Sequence, residues 1–134
     1  MKYSAVVLDE KSHLALVAWA DKNIKISGIR LPILIRDNGW KMFCHHMTIQ
    51  YPGTPDFIKQ YLDTEQTIEV SHVGIDDKVV AVRVIGFHSD NKIPHVTVAV
   101  NVRDGGKPVM SNLIKNWVAV TNGLKLKGTV KELE

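Results

Sequence analysis

Two short segments of the chain combine a histidine and a threonine at the same spacing: HMTI at residues 46–49 and HVTV at residues 95–98. A histidine titrates near neutral pH, so one imidazole can accept a proton while a second donates one. Threonine hydroxyls can donate hydrogen bonds to the non-bridging oxygens of a phosphate. Two histidines and two threonines around one pocket would therefore suit phosphodiester cleavage without a metal ion.

The first motif lies within residues 41–51, a segment whose composition predicts a β-strand. Successive side chains of a strand point to opposite faces of the sheet. This alternation places His46 and Thr48 side by side on one face and puts His45 with Met47 on the other. Because the face of Met47 is mainly apolar, we expect His45 to be a hydrogen-bonded structural histidine of the core.

The second motif has the same facing within residues 93–102. Here an unbroken apolar face is formed by Val96, Val98, Val100 and Val102, while His95 and Thr97 lie on the other face. Either motif alone is typical of a solvent-facing strand. The recurrence of the same pattern with the same facing favours a shared site instead.

Other chemistries have less support in the sequence. Two histidines make a poor zinc site without a third ligand, and no H-E-x-x-H or Asp/Glu-rich pattern occurs, so we expect no metal and no cofactor. Cys44 is the only cysteine, which excludes an internal disulfide. It shares strand parity with His46, so a Cys–His nucleophile is an alternative, but no third group that would orient the pair is evident.

Length and composition predict one domain spanning residues 1–134, with 45% hydrophobic and 23% charged residues. The formal net charge of +3 permits an anionic ligand without requiring one. No leader-like segment opens the chain and no apolar run reaches the length of a membrane span. We therefore expect a cytoplasmic protein with no membrane partner, and the sequence predicts no protein partner.

The order of the elements predicts an α+β fold with a mostly antiparallel sheet. A first strand is followed by a helix with Asp9 as its N-cap, and a hairpin turns at residues 76–78. A second long helix is predicted after Pro108, with Trp117 packed in the core. The predicted strands are 2–9, 41–51, 66–75, 79–87, 93–102 and 124–133, and the predicted helices are 10–22, 56–62 and 109–120.

Five further residues are candidates for binding a nucleotide substrate. Tyr3 and Trp40 could stack on nucleobases, with Trp40 at the edge of the cleft just before the first motif strand. Arg83 could pair with a phosphate. Lys107, in the glycine-rich segment RDGGKP, and Asn112 could also contact the ligand. That segment lacks the spacing of a Walker loop.

The paired His-x-Thr motifs in a small α+β chain resemble the two-histidine (2H) phosphoesterase superfamily. The resemblance implies a bilobal fold of two pseudo-symmetric halves, with mostly antiparallel sheets around a central cleft and helices packed outside. It also implies metal-independent hydrolysis of 2′,3′-cyclic phosphates and related phosphodiesters. In that reading His46, Thr48, His95 and Thr97 are the catalytic residues.

Two longer segments, KYSAVVLDEKSHLALV and HVTVAVNVRDGGKPVMSNLIKNW, look like the branch that contains the phosphodiesterase domains of tRNA ligases and phage anti-CBASS nucleases. This implies that the substrate is a cyclic nucleotide or a cyclic oligonucleotide signal. If the protein is of phage origin, it would act in the host cytoplasm. The alternatives are a 2′,3′-cyclic phosphodiesterase acting on RNA ends and a non-catalytic nucleotide- or RNA-binding module of the same fold. The sequence leaves open which histidine is the base.

Overall fold

The computed structural model describes all residues, 1–134. No helix in it is long and apolar enough to cross a membrane. The strands are β1 Tyr3–Leu8, β2 Lys25–Ile26, β3 Ile29–Arg30, β4 Trp40–Met42, β5 His46–Gln50, β6 Glu65–Ile75, β7 Val79–Ile85, β8 His95–Asn101, β9 Trp117–Ala119 and β10 Lys125–Leu133. The helices are α1 Glu10–Asn23, α2 Leu31–Asp37 and α3 Asp56–Lys59, and 3₁₀ turns cover Val102–Asp104 and Pro108–Leu113.

Six strands form a closed antiparallel barrel in the order β10, β1, β5, β8, β7 and β6, and β6 pairs back onto β10. Closure leaves no free edge in the ring, so the backbone groups of these strands find partners within the barrel. β9 adds to β6 outside the ring, β4 adds to β8, and β2 and β3 form a separate ribbon. The predicted mixture of helices and a mostly antiparallel sheet is confirmed.

The first helix forms as its sequence predicts. The Asp9 side chain accepts a hydrogen bond of 2.7 Å from the backbone N–H of Ser12, which confirms the N-cap. Ser12, Leu16 and Ala20 recur every four residues and form the buried stripe of the helix. The Ser12 hydroxyl oxygen also accepts a bond of 2.8 Å from the backbone N–H of Lys127, which fixes α1 to β10.

A β-bulge between β7 and β8 changes which residues of the second motif strand lie on its apolar face. Ala99 lies opposite Val80, but Thr97 lies opposite Ala81, so Val98 is an extra residue on β8. The bulge moves Val100 to the same face as Ala81, where both pack in a small second core. The unbroken valine face predicted for this strand is therefore wrong, although the motif residues keep their facing.

The first motif strand is interrupted rather than continuous. β4 and β5 both pair with β8, but Met42 lies opposite Ala99 and Met47 opposite Val96, so the intervening segment holds two residues more than β8 does. Cys44 takes up this excess in the left-handed region, with φ of 57°, a conformation that is uncommon for a residue with a side chain. Strand alternation cannot be carried across this kink, so it predicts the facing of His45 incorrectly.

The helix predicted over residues 109–120 is wrong. The chain forms the 3₁₀ turn Pro108–Leu113 and then β9, in which Trp117 pairs with Gly74 of β6. A Cβ atom at Gly74 would lie 2.7 Å from the indole ring, so the absence of a side chain there makes room for the tryptophan. The indole N–H of Trp117 donates to the carbonyl of Ile114 at 3.1 Å. Tertiary packing overrides the helical pattern here.

Candidate active site

A cavity of about 670 Å³ lies over the β5–β8 pair, within the size range of small-molecule sites. β1, β5 and β8 supply its floor, and the 3₁₀ turn Pro108–Leu113 and the loop before β8 supply its walls. Its lining residues are Tyr3, Phe43, His45, His46, Thr48, Tyr51, Asn91, His95, Thr97, Pro108, Val109 and Asn112.

The register of β5 and β8 sets the two motifs against each other. Met47 lies opposite Val96 in this antiparallel pair. Extending the register by one residue in each direction sets His46 across from Thr97, and Thr48 across from His95. Directly opposed side chains on one face of a sheet lie roughly 5 Å apart at their Cβ atoms. The structure thus brings both histidines and both threonines to one cavity, each histidine facing the threonine of the other motif.

His95 is held in one tautomer by the backbone. Its Nδ1 atom lies 2.8 Å from the carbonyl oxygen of Ile93. Since a carbonyl oxygen only accepts, Nδ1 must carry the proton, and Nε2 of the neutral ring has a free lone pair. Burial lowers the pKa of His95, and this outweighs the opposing effect of the bond to Ile93. The lowered pKa favours the neutral form of His95 at pH 7, and Nε2 of that form can accept a proton.

His46 is in a different environment, because its hydrogen-bond partner is another histidine. Nδ1 of His46 and Nδ1 of His45 are 2.8 Å apart, and the two rings meet edge to face. Burial, followed by the charges of His45 and His95, lowers the pKa of His46 to about 4. His45 is exposed and lines the cavity, so the prediction that it belongs to the core is wrong. The kink at Cys44 is the reason.

The hydroxyl of Thr97 is oriented by a residue that the sequence did not indicate. Its Oγ1 atom lies 2.8 Å from the hydroxyl of Ser111, which is buried in the second 3₁₀ turn. When Ser111 donates to this oxygen, the proton of Thr97 can go to the carbonyl of Pro108, 3.5 Å away, or to a ligand in the cavity. Ser111 could not be identified from sequence, because it lies in a segment whose pattern predicts a regular helix.

Aromatic side chains form one wall of the cavity. The ring centroids of Tyr3 and Tyr51 are 5.4 Å apart, and Tyr3 lies 5.8 Å from the His46 ring. Tyr3 is thus placed in the cavity, as its predicted role in base stacking requires. Strand alternation from Met47 predicts that Tyr51 lies on the core face, yet Tyr51 is 66% exposed. It follows directly after β5, where the strand pattern no longer applies.

The remaining predicted ligand residues divide between the cavity and other places. Asn112 lines the cavity, whereas Trp40, Arg83 and Lys107 do not. Trp40 is 7% exposed and packs in the main core, so its predicted place at the cleft edge is wrong. Arg83 lies beside His95 on β7, with its Nε atom buried and unpaired. Lys107 is exposed and precedes the turn that walls the cavity.

The cavity has an unusual charge composition. Three histidines and two tyrosines are its ionisable side chains, and no Lys, Arg, Asp or Glu lines it. The chain contains no group of three or more His, Cys, Asp or Glu side chains arranged to hold a metal ion. Cys44 is fully buried, and burial raises the pKa of its thiol to about 12. A thiol that stays protonated at neutral pH is a poor nucleophile, so the Cys–His alternative loses its support.

Comparisons with known proteins identify no family for this chain. No protein-family model matches it, and a search of the curated proteins finds no match. The site itself consists of two opposed His–Thr pairs in a cavity with an aromatic wall.

Proposed function

We propose that this protein is a phosphodiesterase that cleaves a nucleotide phosphodiester by general acid–base catalysis at His46 and His95. The observation that carries the proposal is the pairing of the two motifs across β5 and β8, which brings both imidazoles and both threonine hydroxyls to one cavity. A phosphodiester in that cavity would have a base on one side, an acid on the other and hydroxyl donors at its non-bridging oxygens.

The tautomer of His95 favours this histidine as the base, a role that the sequence left open. Nε2 of His95 removes the proton from the attacking oxygen, because Nδ1 is already bound to the Ile93 carbonyl. His46 then protonates the leaving oxygen through Nε2, since its Nδ1 is engaged with His45. Thr48 and Thr97 donate to the two non-bridging oxygens as negative charge builds up on them. The attacking oxygen is a water molecule or a ribose 2′-hydroxyl.

The charge composition of the cavity favours a diester over a monoester or a polyphosphate. A phosphodiester carries one negative charge, whereas terminal phosphates carry more and are usually held by Lys, Arg or a metal ion. The cavity offers neutral hydroxyl and amide donors and at most the charge of its histidines. Tyr3 and Tyr51 add a surface on which a base can stack.

The substrate that fits these features is a cyclic nucleotide or a cyclic oligonucleotide signal of the kind cleaved by phage anti-CBASS nucleases. A 2′,3′-cyclic phosphate at an RNA end presents the same bond and is the second candidate. We further propose that the fold is the bilobal fold of the two-histidine phosphoesterases, with each motif belonging to one half, and that the protein acts in the cytoplasm. The antiparallel pairing of β5 with β8, which sets the two motifs against each other, supports the proposed fold.

The test is incubation of the protein with cyclic dinucleotides, cyclic trinucleotides and 2′,3′-cyclic nucleotides in the presence of EDTA. The wild-type protein is expected to turn over at least one of them, and His46→Ala and His95→Ala are expected to abolish turnover. His72→Gln is the matched control, because His72 lies on β6 outside the cavity lining. Retention of a ligand without turnover would identify a binding module, and loss of activity in EDTA would refute the metal-free mechanism.

A further inference from the structure

The contact between His45 and His46 fixes where protons can lie. Two Nδ1 atoms 2.8 Å apart need one proton between them, because two lone pairs would repel and two N–H groups would clash. The exposed ring of His45 can exchange protons with solvent, whereas His46 is only partly exposed. The pair therefore joins the solvent to the cavity through two imidazoles.

His46 by itself is a weak candidate for a general acid. With a pKa of about 4, it would be an imidazolium in about one molecule in a thousand at pH 7. The neutral ring has an N–H at Nε2, but it cannot give this proton away without gaining another at Nδ1. The only protein group at Nδ1 is the ring of His45. The acid role of His46 thus requires that His45 take part.

We propose that His45 is a third histidine of the reaction, which passes its Nδ1 proton to His46 while His46 gives its Nε2 proton to the leaving oxygen. This inference rests on the proposed function. Before the step, His45 is an imidazolium and both His46 and His95 are neutral. After it, His45 is neutral, His46 is neutral with its proton on Nδ1, and His95 is an imidazolium that holds the proton of the attacking oxygen. One positive charge has moved from His45 to His95, and solvent then exchanges both protons.

The surroundings of His45 suit this role. The ionisable groups that share its cavity are His46 on β5, His95 on β8, Tyr3 on β1 and Tyr51 after β5, and none is a carboxylate that would hold the proton on His45. The backbone carbonyl of His45 accepts a bond of 3.0 Å from the N–H of Leu8, which fixes the main chain at the kink. The ring is thus held at His46 but remains open to solvent.

The variant that tests the relay is His45→Asn. The amide of asparagine can still donate to Nδ1 of His46, but it cannot lose the proton. We would compare two diesters: a cyclic dinucleotide or 2′,3′-cyclic nucleotide turned over by the wild type, whose ribose leaving oxygen needs a proton, and thymidine 5′-(4-nitrophenyl) phosphate, whose phenolate leaves without one. On the nucleotide substrate kcat is expected to fall by roughly 10²–10⁴-fold, the usual contribution of a general acid. On the nitrophenyl ester it should change less than about threefold.

Two controls separate this role from a structural one. His95→Asn removes the base and is expected to slow cleavage of both substrates, whereas His45→Asn should slow cleavage of the nucleotide substrate only. His45→Asn should also abolish the alkaline limb of the pH profile of kcat on the nucleotide substrate. In ¹⁵N NMR spectra of the imidazoles, His45→Asn should move the titration of His46, because the two rings no longer share a proton.

The outcomes are distinct. An equal loss on both esters, an unaltered pH profile or an unmoved titration of His46 would overturn the relay and leave the phosphodiesterase proposal standing. A wild-type protein that cleaves no diester would overturn the proposed function and the relay with it.

Discussion

Replacement of His95 tests whether its imidazole is the base and whether the Ile93 carbonyl fixes its tautomer. In His95→Asn the side-chain amide can take the place of Nδ1 and keep a donor on the Ile93 carbonyl, but nothing replaces Nε2. Without the base, kcat is expected to fall by roughly 10²–10⁴-fold. The free energy of unfolding should change little, because the partly buried hydrogen bond to Ile93 is preserved.

His95→Leu is the matched comparison, since it fills the same space without a donor. The carbonyl of Ile93 then loses its partner, which costs about 1–3 kcal/mol. Unfolding entropy scales with chain length, and for 134 residues each kcal/mol corresponds to about 3.5 °C in Tm. The variant is therefore expected to melt roughly 4–11 °C below the wild type in a thermal scan followed by circular dichroism.

Kinetics and melting curves of the two variants together test both the base role of His95 and the stabilising role of its bond to Ile93. Both should lose activity on any diester that the wild type cleaves, and only the leucine variant should lose stability. Activity of His95→Asn within threefold of the wild type would refute the assignment of His95 as the base. A drop in Tm as large in the asparagine variant as in the leucine variant would refute the role of the Ile93 bond.

Three further predictions follow from pKa, stacking and packing. The pKa of His46 is about 4 in the folded state against 6.5 in the unfolded chain, so its contribution to stability is complete above pH 6.5 and is lost as the pH falls towards 4. Urea unfolding should show a loss of about 1–2 kcal/mol between pH 7.5 and 5, and His46→Gln should reduce that slope. Tyr51→Ala should raise KM by roughly 5- to 150-fold with kcat little changed, as expected for loss of base stacking, whereas Tyr61→Ala, away from the cavity, should not. Trp40→Ala should lower the free energy of unfolding by about 3–5 kcal/mol without changing KM, and a change in KM would contradict its place in the core.

Local pattern was sufficient for the elements whose stability is local or whose faces are clearly amphipathic. Asp9 and the stripe of α1 predicted that helix. The hairpin was predicted by alternating apolar residues, namely Ile68 and Val70 in β6 and Val80, Val82 and Val84 in β7. The paired His-x-Thr motifs were also visible in the sequence, because a strand with a polar face and an apolar face keeps its period of two over a few residues.

The pattern failed where long-range packing decided the backbone. Trp117 sits in a strand because it packs over Gly74, which lies far away in sequence. Trp40 is in the core because β4 pairs with β8. No local pattern records such partners. Helical spacing therefore predicted a helix around Trp117, and the position just before the first motif strand predicted a cleft edge for Trp40.

The sequence by itself determined the polar inventory of the site: two histidines and two threonines, each pair two residues apart on a strand. Only the tertiary structure decided how they meet, because the register of β5 against β8 depends on the kink at Cys44 and on closure of the barrel. The same kink turned His45 from the core to the cavity and onto His46. Strand alternation holds only while the backbone stays extended, and one residue in the left-handed region was enough to end it.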